Sequence, residues 1–358
     1  MKIEMFNGWY FLFLIVSLGG FVGLYFLLKN KSDKFKKIFL FSLLAFGLLL
    51  HFLKAFFPPY STDASRWYRD SWFINISGAN IFLFPFFFLS KNKKLKDYMF
   101  YIGVISGLIS IFYPMEPMVK ANQAAEWLDI VRFYIHHNMI WYVPLLMVLL
   151  KLHTLSYKRV IFAPICLLGV MLFIMLNQVL QSELGFVPLR GDDDKFFDIT
   201  YKNSSLIWGP GNQSFAVVFT ALCPKIFKTV PVGAHAGEEK YLPWFWLIVP
   251  VFVYLTPICF LISLIFDFKN FKCDMIALNK KIKIVTNNIK QKTKKQPQTS
   301  VNTTPSNTNE LLENNQVENL NNETTQTENN NNLKINNKQK NDKPKNIKNK
   351  KSNKKINK

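Results

Sequence analysis

Four cysteines among 358 residues, with no C-x-x-C pair and no His/Cys spacing of a metal site, leave nothing from which to build a disulfide framework or a zinc module. Acidic residues are scarce as well: 23 Asp and Glu stand against 44 Lys and Arg, a formal net charge of +21. Phosphate-loop, dinucleotide-binding and protease motifs are missing, so the chain offers no support for those chemistries. The acidic run Asp192–Asp194 is not followed by calcium-loop spacing, and His235-Ala-Gly-Glu238-Glu239 lies in a glycine-containing loop; both read as solvated charge. No metal and no cofactor is expected.

What the chain has instead is long apolar runs. Hydrophobic residues make up 49% of it and 35 residues are Phe. The mean hydropathy is nevertheless only +0.09, because two unlike segments are averaged. Runs at about 9–28, 38–57, 71–89, 97–115, 131–152, 160–180 and 242–266 each approach the roughly 20 residues that cross a bilayer. The first is too long for a signal-peptide core and lacks a small-x-small cleavage site, so a retained helix is expected. The fold class is therefore all-α: a multi-pass transmembrane helix bundle of about seven spans over residues 1–269, with a long connection at 181–241. Within that connection Ser214–Leu222 is apolar but too short to span, and reads equally as a surface-lying segment or a buried loop core.

Loop charge sets the orientation. The first, third and fifth connections carry Lys29, Lys31, Lys34, Lys36 and Lys37, then Lys91, Lys93, Lys94 and Lys96, then Lys151, Lys158 and Arg159. The second and fourth are balanced, Arg66 and Arg69 against Asp63 and Asp70, then Lys120 and Arg132 against Glu116, Glu126 and Asp129. Short Lys/Arg-rich loops stay cytoplasmic, which predicts an external N-terminus, a cytoplasmic tail and residence in the cell membrane. From Asn270 onward 19 Lys face 7 acidic residues. Residues 270–291 interleave Phe271, Met275, Ile276, Ile282 and Val285 with Lys280, Lys281 and Lys283, as a basic amphipathic segment on an anionic inner leaflet would. Residues 292–358 are Asn/Lys-rich, low in complexity and predicted to be disordered. The tail's lysines lack interleaved aromatics, which argues against nucleic-acid binding.

Polar residues inside spans are costly and usually face a bundle interior or a cavity. On this topology they collect in the outer half: His51 and Lys54 in span two, Asn75, Ser77 and Asn80 in span three, Tyr134, His136, His137 and Asn138 in span five, and Asn177, Gln178 and Gln181 in span six, followed by Glu183. The inner halves read as nearly pure Leu, Ile, Phe and Val. Any one of these residues is explained by interface proximity or by interhelical hydrogen bonding; the set points to an outward-opening polar pocket. Adjacent helical residues diverge by about 100°, so only one of His136 and His137 faces the bundle centre fully. Gly19/Gly23 in span one and Gly103/Gly107 in span four are spaced for close helix packing.

Span five reads Phe133-Tyr134-Ile135-His136-His137-Asn138, span three opens Phe73-Ile74-Asn75-Ile76-Ser77, span four is followed by Tyr113-Pro114, and span six ends around Asn177. With these motifs residues 5–265 resemble the YwaF-like family of bacterial integral membrane proteins, related to eukaryotic multi-pass lipid acyltransferases. The resemblance places the family histidine at His137, with Asn75 where the family has His and Ser77 where it has Cys. It implies acyl transfer between lipids, His137 serving as base, Ser77 as nucleophile, and membrane lipid as substrate. Asn75, Asn80, His51, His136, Asn138, Asn177 and Gln178 would position that substrate. Two other readings remain: a transporter or solute-binding component without catalysis, and a membrane protein whose basic tail recruits a cytoplasmic partner.

Overall fold

The computed structural model describes residues 2–58, 60–62, 72–120, 127–185, 205–210, 216–229, 236–237 and 239–294, without the side chains of 119–120 and 289–294. The second connection's Asp63, Arg66, Arg69 and Asp70, the acidic run 192–194, His235, Glu238 and the tail beyond Lys294 lie outside these residues.

Helices dominate. Gly8–Lys29 (α1) is started by Asn7, whose side chain accepts from Tyr10 N at 2.9 Å, and Asp33–Leu53 (α2) by Ser32, which accepts from Phe35 N. Ile76–Leu89 (α3) and Lys93–Phe112 (α4) are capped in the same way by Asn75 and Asn92. These side-chain oxygens satisfy amide groups that a helix start leaves without partners. Then come Met115–Lys120 (α5), Trp127–Leu149 (α6) and Phe162–Glu183 (α7). A five-residue turn, Ala216–Thr220 (α8), and a short antiparallel ladder of Lys228–Thr229 (β1) with Lys240–Tyr241 (β2) precede the 47-residue helix Ile248–Lys294 (α9).

Five helices, among the described residues, are long and apolar enough to cross a membrane: α1, α2 with its following turn, α4 running on to Met118, α7, and Phe245–Asn288. The two remaining expected spans differ, each for a physical reason. Helix α3 begins only at Ile76 because Asn75 caps it, and its 14 residues rise about 21 Å, short of the ~30 Å hydrocarbon core. Helix α6 has the length, but its first turns carry Asp129, Arg132, His136, His137 and Asn138. It is buried along most of its length, so it needs no lipid-compatible face.

Helix α6 is the centre of the bundle, and α4 lies closest to it. A Cβ on Gly103 would stand 2.6 Å from the Ile140 carbonyl oxygen, and one on Gly107 would stand 2.8 Å from Trp141 Cβ. The same spacing in α1 does something else: Gly19 and Gly23 face open space, and it is Gly20 that meets α6, through Tyr142 Oη. Tyr142 donates to the Ser17 carbonyl, which ties α1 to the centre.

The long connection returns into the bundle. Trp246 Nε1 donates to the Leu206 carbonyl at 2.9 Å, Trp244 N to the Ile207 carbonyl at 2.8 Å, and Trp244 Nε1 to the Leu168 carbonyl at 2.8 Å. Ile207 and Trp208 are buried by this docking. Of the apolar 214–222 segment, α8 leans on α9, with Tyr254 donating to the Val218 carbonyl and Val217 and Val218 left exposed. Glu239 pairs with Lys228 at 2.9 Å across the β1–β2 ladder, and the ammonium holds its carboxyl below the usual range.

Outside the four spans that gather the polar residues, α4 buries a charge of its own. At the lysine-rich end Asp97 is fully buried at the start of α4, 2.7 Å from His153 Nε2 and 2.6 Å from Arg159 Nε. A carboxylate can be buried there because the Arg159 guanidinium and the His153 imidazole surround it with hydrogen bonds.

Candidate functional site

Histidines of two helices and the start of a third meet in one place. His51 near the end of α2 stands with its ring centroid 5.7 Å from that of His136, and His136 stands 5.2 Å from His137 on α6. The start of α3 closes the third side: a Cβ on Gly78 would lie 3.4 Å from His51 Cε1, and His136 Nε2 lies 3.4 Å from the Ser77 carbonyl oxygen. Phe73 stacks over His51 at 5.7 Å and lies 6.1 Å from Phe173 of α7. Asn177 and Gln181 follow Phe173 at intervals of one turn on the same face.

Local structure assigns the expected residues to different tasks. His136 is the one at the centre, in contact with both His51 and the start of α3. His137 Nδ1 meets the Phe133 carbonyl of its own helix at 2.9 Å. In the neutral ring that nitrogen carries the proton, leaving Nε2 as the acceptor. Ser77 meets the histidines through its backbone; among the described residues no hydrogen bond joins its side chain to His137. Asn75 is the α3 cap, accepting from Gly78 N at 2.7 Å. Asn80 accepts from Tyr98 of α4 at 2.7 Å and so belongs to the α3–α4 contact. Asn138 donates to Ser17 Oγ of α1 at 3.0 Å and accepts from Trp141 Nε1 at 3.1 Å. Gln178 accepts from Trp208 Nε1 at 2.7 Å and anchors the long connection.

Asn138 is thus interhelical glue. Replacing it with alanine is expected to lower stability by about 1 kcal/mol and leave the histidine cluster in place; thermal unfolding in detergent would check this.

Sequence reasoning missed the charged lid over the histidines. Tyr60 donates to Asp129 at 3.3 Å, Arg132 Nε donates to the same carboxylate at 2.6 Å, and Glu116 of α5 stands 3.9 Å from Arg132. Lys54 Nζ lies 5.2 Å over the Tyr60 ring, within cation–π range. Asp129 and Arg132 read as balanced loop charge; their i, i+3 spacing at a helix start is the signal that was available. On α6 and α7 several buried polar atoms have no hydrogen-bond partner among the described residues: His136 Nδ1, the Tyr134 hydroxyl, Asn177 Nδ2 and both amide atoms of Gln181. No group of three or more His, Cys, Asp or Glu among the described residues is arranged to hold a metal ion.

An apolar groove begins beside this cluster. Phe41, Ala45, Leu48, Leu49 and Phe52 of α2 face Pro85, Phe86 and Leu89 of α3 across a cavity of about 400 Å³. Its upper end is Phe52, whose ring lies 6.1 Å from Phe73.

No curated protein and no solved structure matches the chain. The family model of the TMEM164 family matches residues 4–229, which take in α1 through α8 and every residue of the histidine cluster. The chain belongs to the TMEM164 family, a family of transmembrane proteins.

Proposed function

We propose that the protein handles a membrane lipid at the histidine cluster, with the lipid's ester region among His51, His136 and the start of α3, and one acyl chain in the α2–α3 groove. The observation that carries this reading is the continuity of the two surfaces. From Phe41 to Phe52 the α2 face rises about 16 Å, close to half of a ~30 Å hydrocarbon core, so the groove has the depth of one leaflet. It is apolar throughout and ends at the Phe52–Phe73–His51 stack. The buried amides of Asn177 and Gln181 and the Nδ1 of His136 supply hydrogen-bonding capacity that an ester or headgroup would satisfy, and leaving such groups unmet is costly. The lysine bias of the loops supports placing this end of the bundle outside the cell and the tail in the cytoplasm.

Acyl transfer, the finer function implied by the YwaF-like resemblance, fits the same site with one change of role. His136, the histidine in contact with the Ser77 backbone, takes the role of base: with Nε2 donating to the Ser77 carbonyl, Nδ1 is its acceptor. The Ser77 hydroxyl oxygen would attack the acyl carbon and pass its proton to the histidine. The departing lipid alcohol would recover that proton, and a second lipid alcohol would then take the acyl group from Ser77, its proton returning through the histidine to the serine oxygen.

The test is lipid profiling of vesicles holding the purified protein. The intact chain is expected to redistribute acyl chains, His136→Ala to lose that activity, and Ser77→Ala to lose it while still co-purifying with lipid. Vesicles whose lipids are unchanged, from a chain that retains no lipid on purification, would sink the reading; solute accumulation in those vesicles would put transport in its place.

A further inference from the structure

Beyond a kink at Asp267, where φ is −126° and ψ is 19°, α9 continues for 27 residues to Lys294. Phe268, Phe271, Met275, Leu278, Ile282 and Val285 recur there at alternating intervals of three and four, and Ile289 continues the series in the sequence. This is the spacing of a heptad seam, sustained for three repeats. Phe271 packs against Tyr157 and Phe260 at the root of the extension. Further out, Met275, Leu278, Ile282 and Val285 are 40–55% exposed, an apolar stripe on a helix otherwise rich in Lys and Asn.

We propose that this extension pairs with the same helix of a second copy of the chain, as a parallel two-stranded coiled coil over residues 268–289. The spacing admits one register: Phe268, Met275 and Ile282 at a, Phe271, Leu278 and Val285 at d. Leu278 at d with Ile282 at a is the one step of the seam that has the pairing known to favour two parallel strands. In that register the g positions are Asp267, Asp274 and Lys281 and the e positions are Lys272, Asn279 and Thr286. Each g faces the following e of the partner, giving Asp274 opposite Asn279 and Lys281 opposite Thr286, while Asp267 is buried against its own chain. Neither pair repels, although the extension as a whole is strongly basic. Lys269, Lys280 and Lys283 fall on the outer positions, where like charges stay apart.

The membrane does the rest of the alignment. Copies in one bilayer with one orientation send their extensions out on the same side, which makes the pairing parallel. Tyr157 N donates to Asp267 at 3.1 Å, and Asp274 is held by Tyr157 Oη and Lys158 Nζ, each at 2.5 Å. These contacts fix the level at which each helix leaves the bundle, so two copies start in register. Confinement to a membrane also raises their effective concentration. An anionic bilayer surface, which the lysines of the extension would also suit, is the rival occupant of the stripe; the alternating three-and-four spacing over three repeats favours the paired helix. Ile276 and Ile284 lie off the seam and remain exposed in the pair.

The experiment uses the full chain in bilayers, with the exposed Cys273 changed to alanine. Under mild oxidation Leu278→Cys is expected to give a disulfide-linked dimer, and Lys280→Cys, on the outer face, is expected to give none. A Leu278→Glu/Ile282→Glu chain, still folded by its thermal transition, is expected to lose the dimer in single-molecule photobleaching. Equal cross-linking at both cysteines, or none at either, overturns the proposal, and so does a dimer that survives the double glutamate change. Quenching of a probe at residue 278 by lipid-borne quenchers in anionic vesicles would assign the stripe to the membrane surface instead.

Discussion

Replacing Asp97 with alanine is expected to destabilise the folded chain by roughly 3–5 kcal/mol. Its carboxylate has no exposed surface, and it meets His153 Nε2 at 2.7 Å and Arg159 at 2.6 and 3.2 Å. Removing it strands a guanidinium that is three-quarters buried and leaves a buried imidazole without its partner. The damage should spread: Arg159 also donates to the Thr154 carbonyl at 2.7 Å, so the turn joining α6 to α7 rests on the same group. Chemical or thermal unfolding in detergent would measure the loss. The double change Asp97→Leu/Arg159→Met separates the causes. If the stranded charge is the problem, the double variant recovers much of the stability, because an apolar pair costs no desolvation. A double variant as unstable as Asp97→Ala would mean that the lost hydrogen bonds dominate instead.

The second large effect is expected at Gly103. Pro144 has no N–H to give the Ile140 carbonyl one turn earlier, so that oxygen lacks its usual helical partner. Helix α4 approaches at that point, and a Cβ on Gly103 would sit 2.6 Å from this oxygen and 2.9 Å from Phe84 Cε2. The obstructing atom is backbone, which cannot swing aside. Gly103→Ala should therefore cost about 1–3 kcal/mol by overpacking, and Gly103→Leu should prevent the two helices from seating. Gly19→Ala is the control: nothing lies within 4 Å of its Cβ, so its unfolding temperature should hold or rise.

The two glycine pairs also show where reading the sequence stops. Both have the same four-residue spacing, yet one seats α4 on the central helix and the other faces outward. In a soluble bundle the polar face of a helix would have marked the difference. In a membrane the lipid-facing and protein-facing sides are equally apolar, so the spacing alone does not tell which face is packed. The helical class, the position of most spans and the gathering of His51, His136 and the start of α3 were legible, because buried polar groups stand out against lipid-compatible neighbours. The partners were not. Asn138 and Asn80 look like site residues until α1 and α4 are seen to supply Ser17 and Tyr98. Asp97 was hidden by its position: it follows four lysines and passes for loop charge until the fold carries it inward.

Helix α3 has one more consequence, set by its length. Its 14 residues leave it some 9 Å shorter than the hydrocarbon it would have to cross. A bilayer meets such a mismatch by thinning locally. If α3 is anchored at its lysine-flanked end, the shortfall falls entirely at Asn75, beside the histidines. Headgroups drawn down toward Asn75 would then arrive at the level of His51 and His136, and the lipid of the proposed function would reach the site by sinking with the dimpled surface rather than by leaving its leaflet.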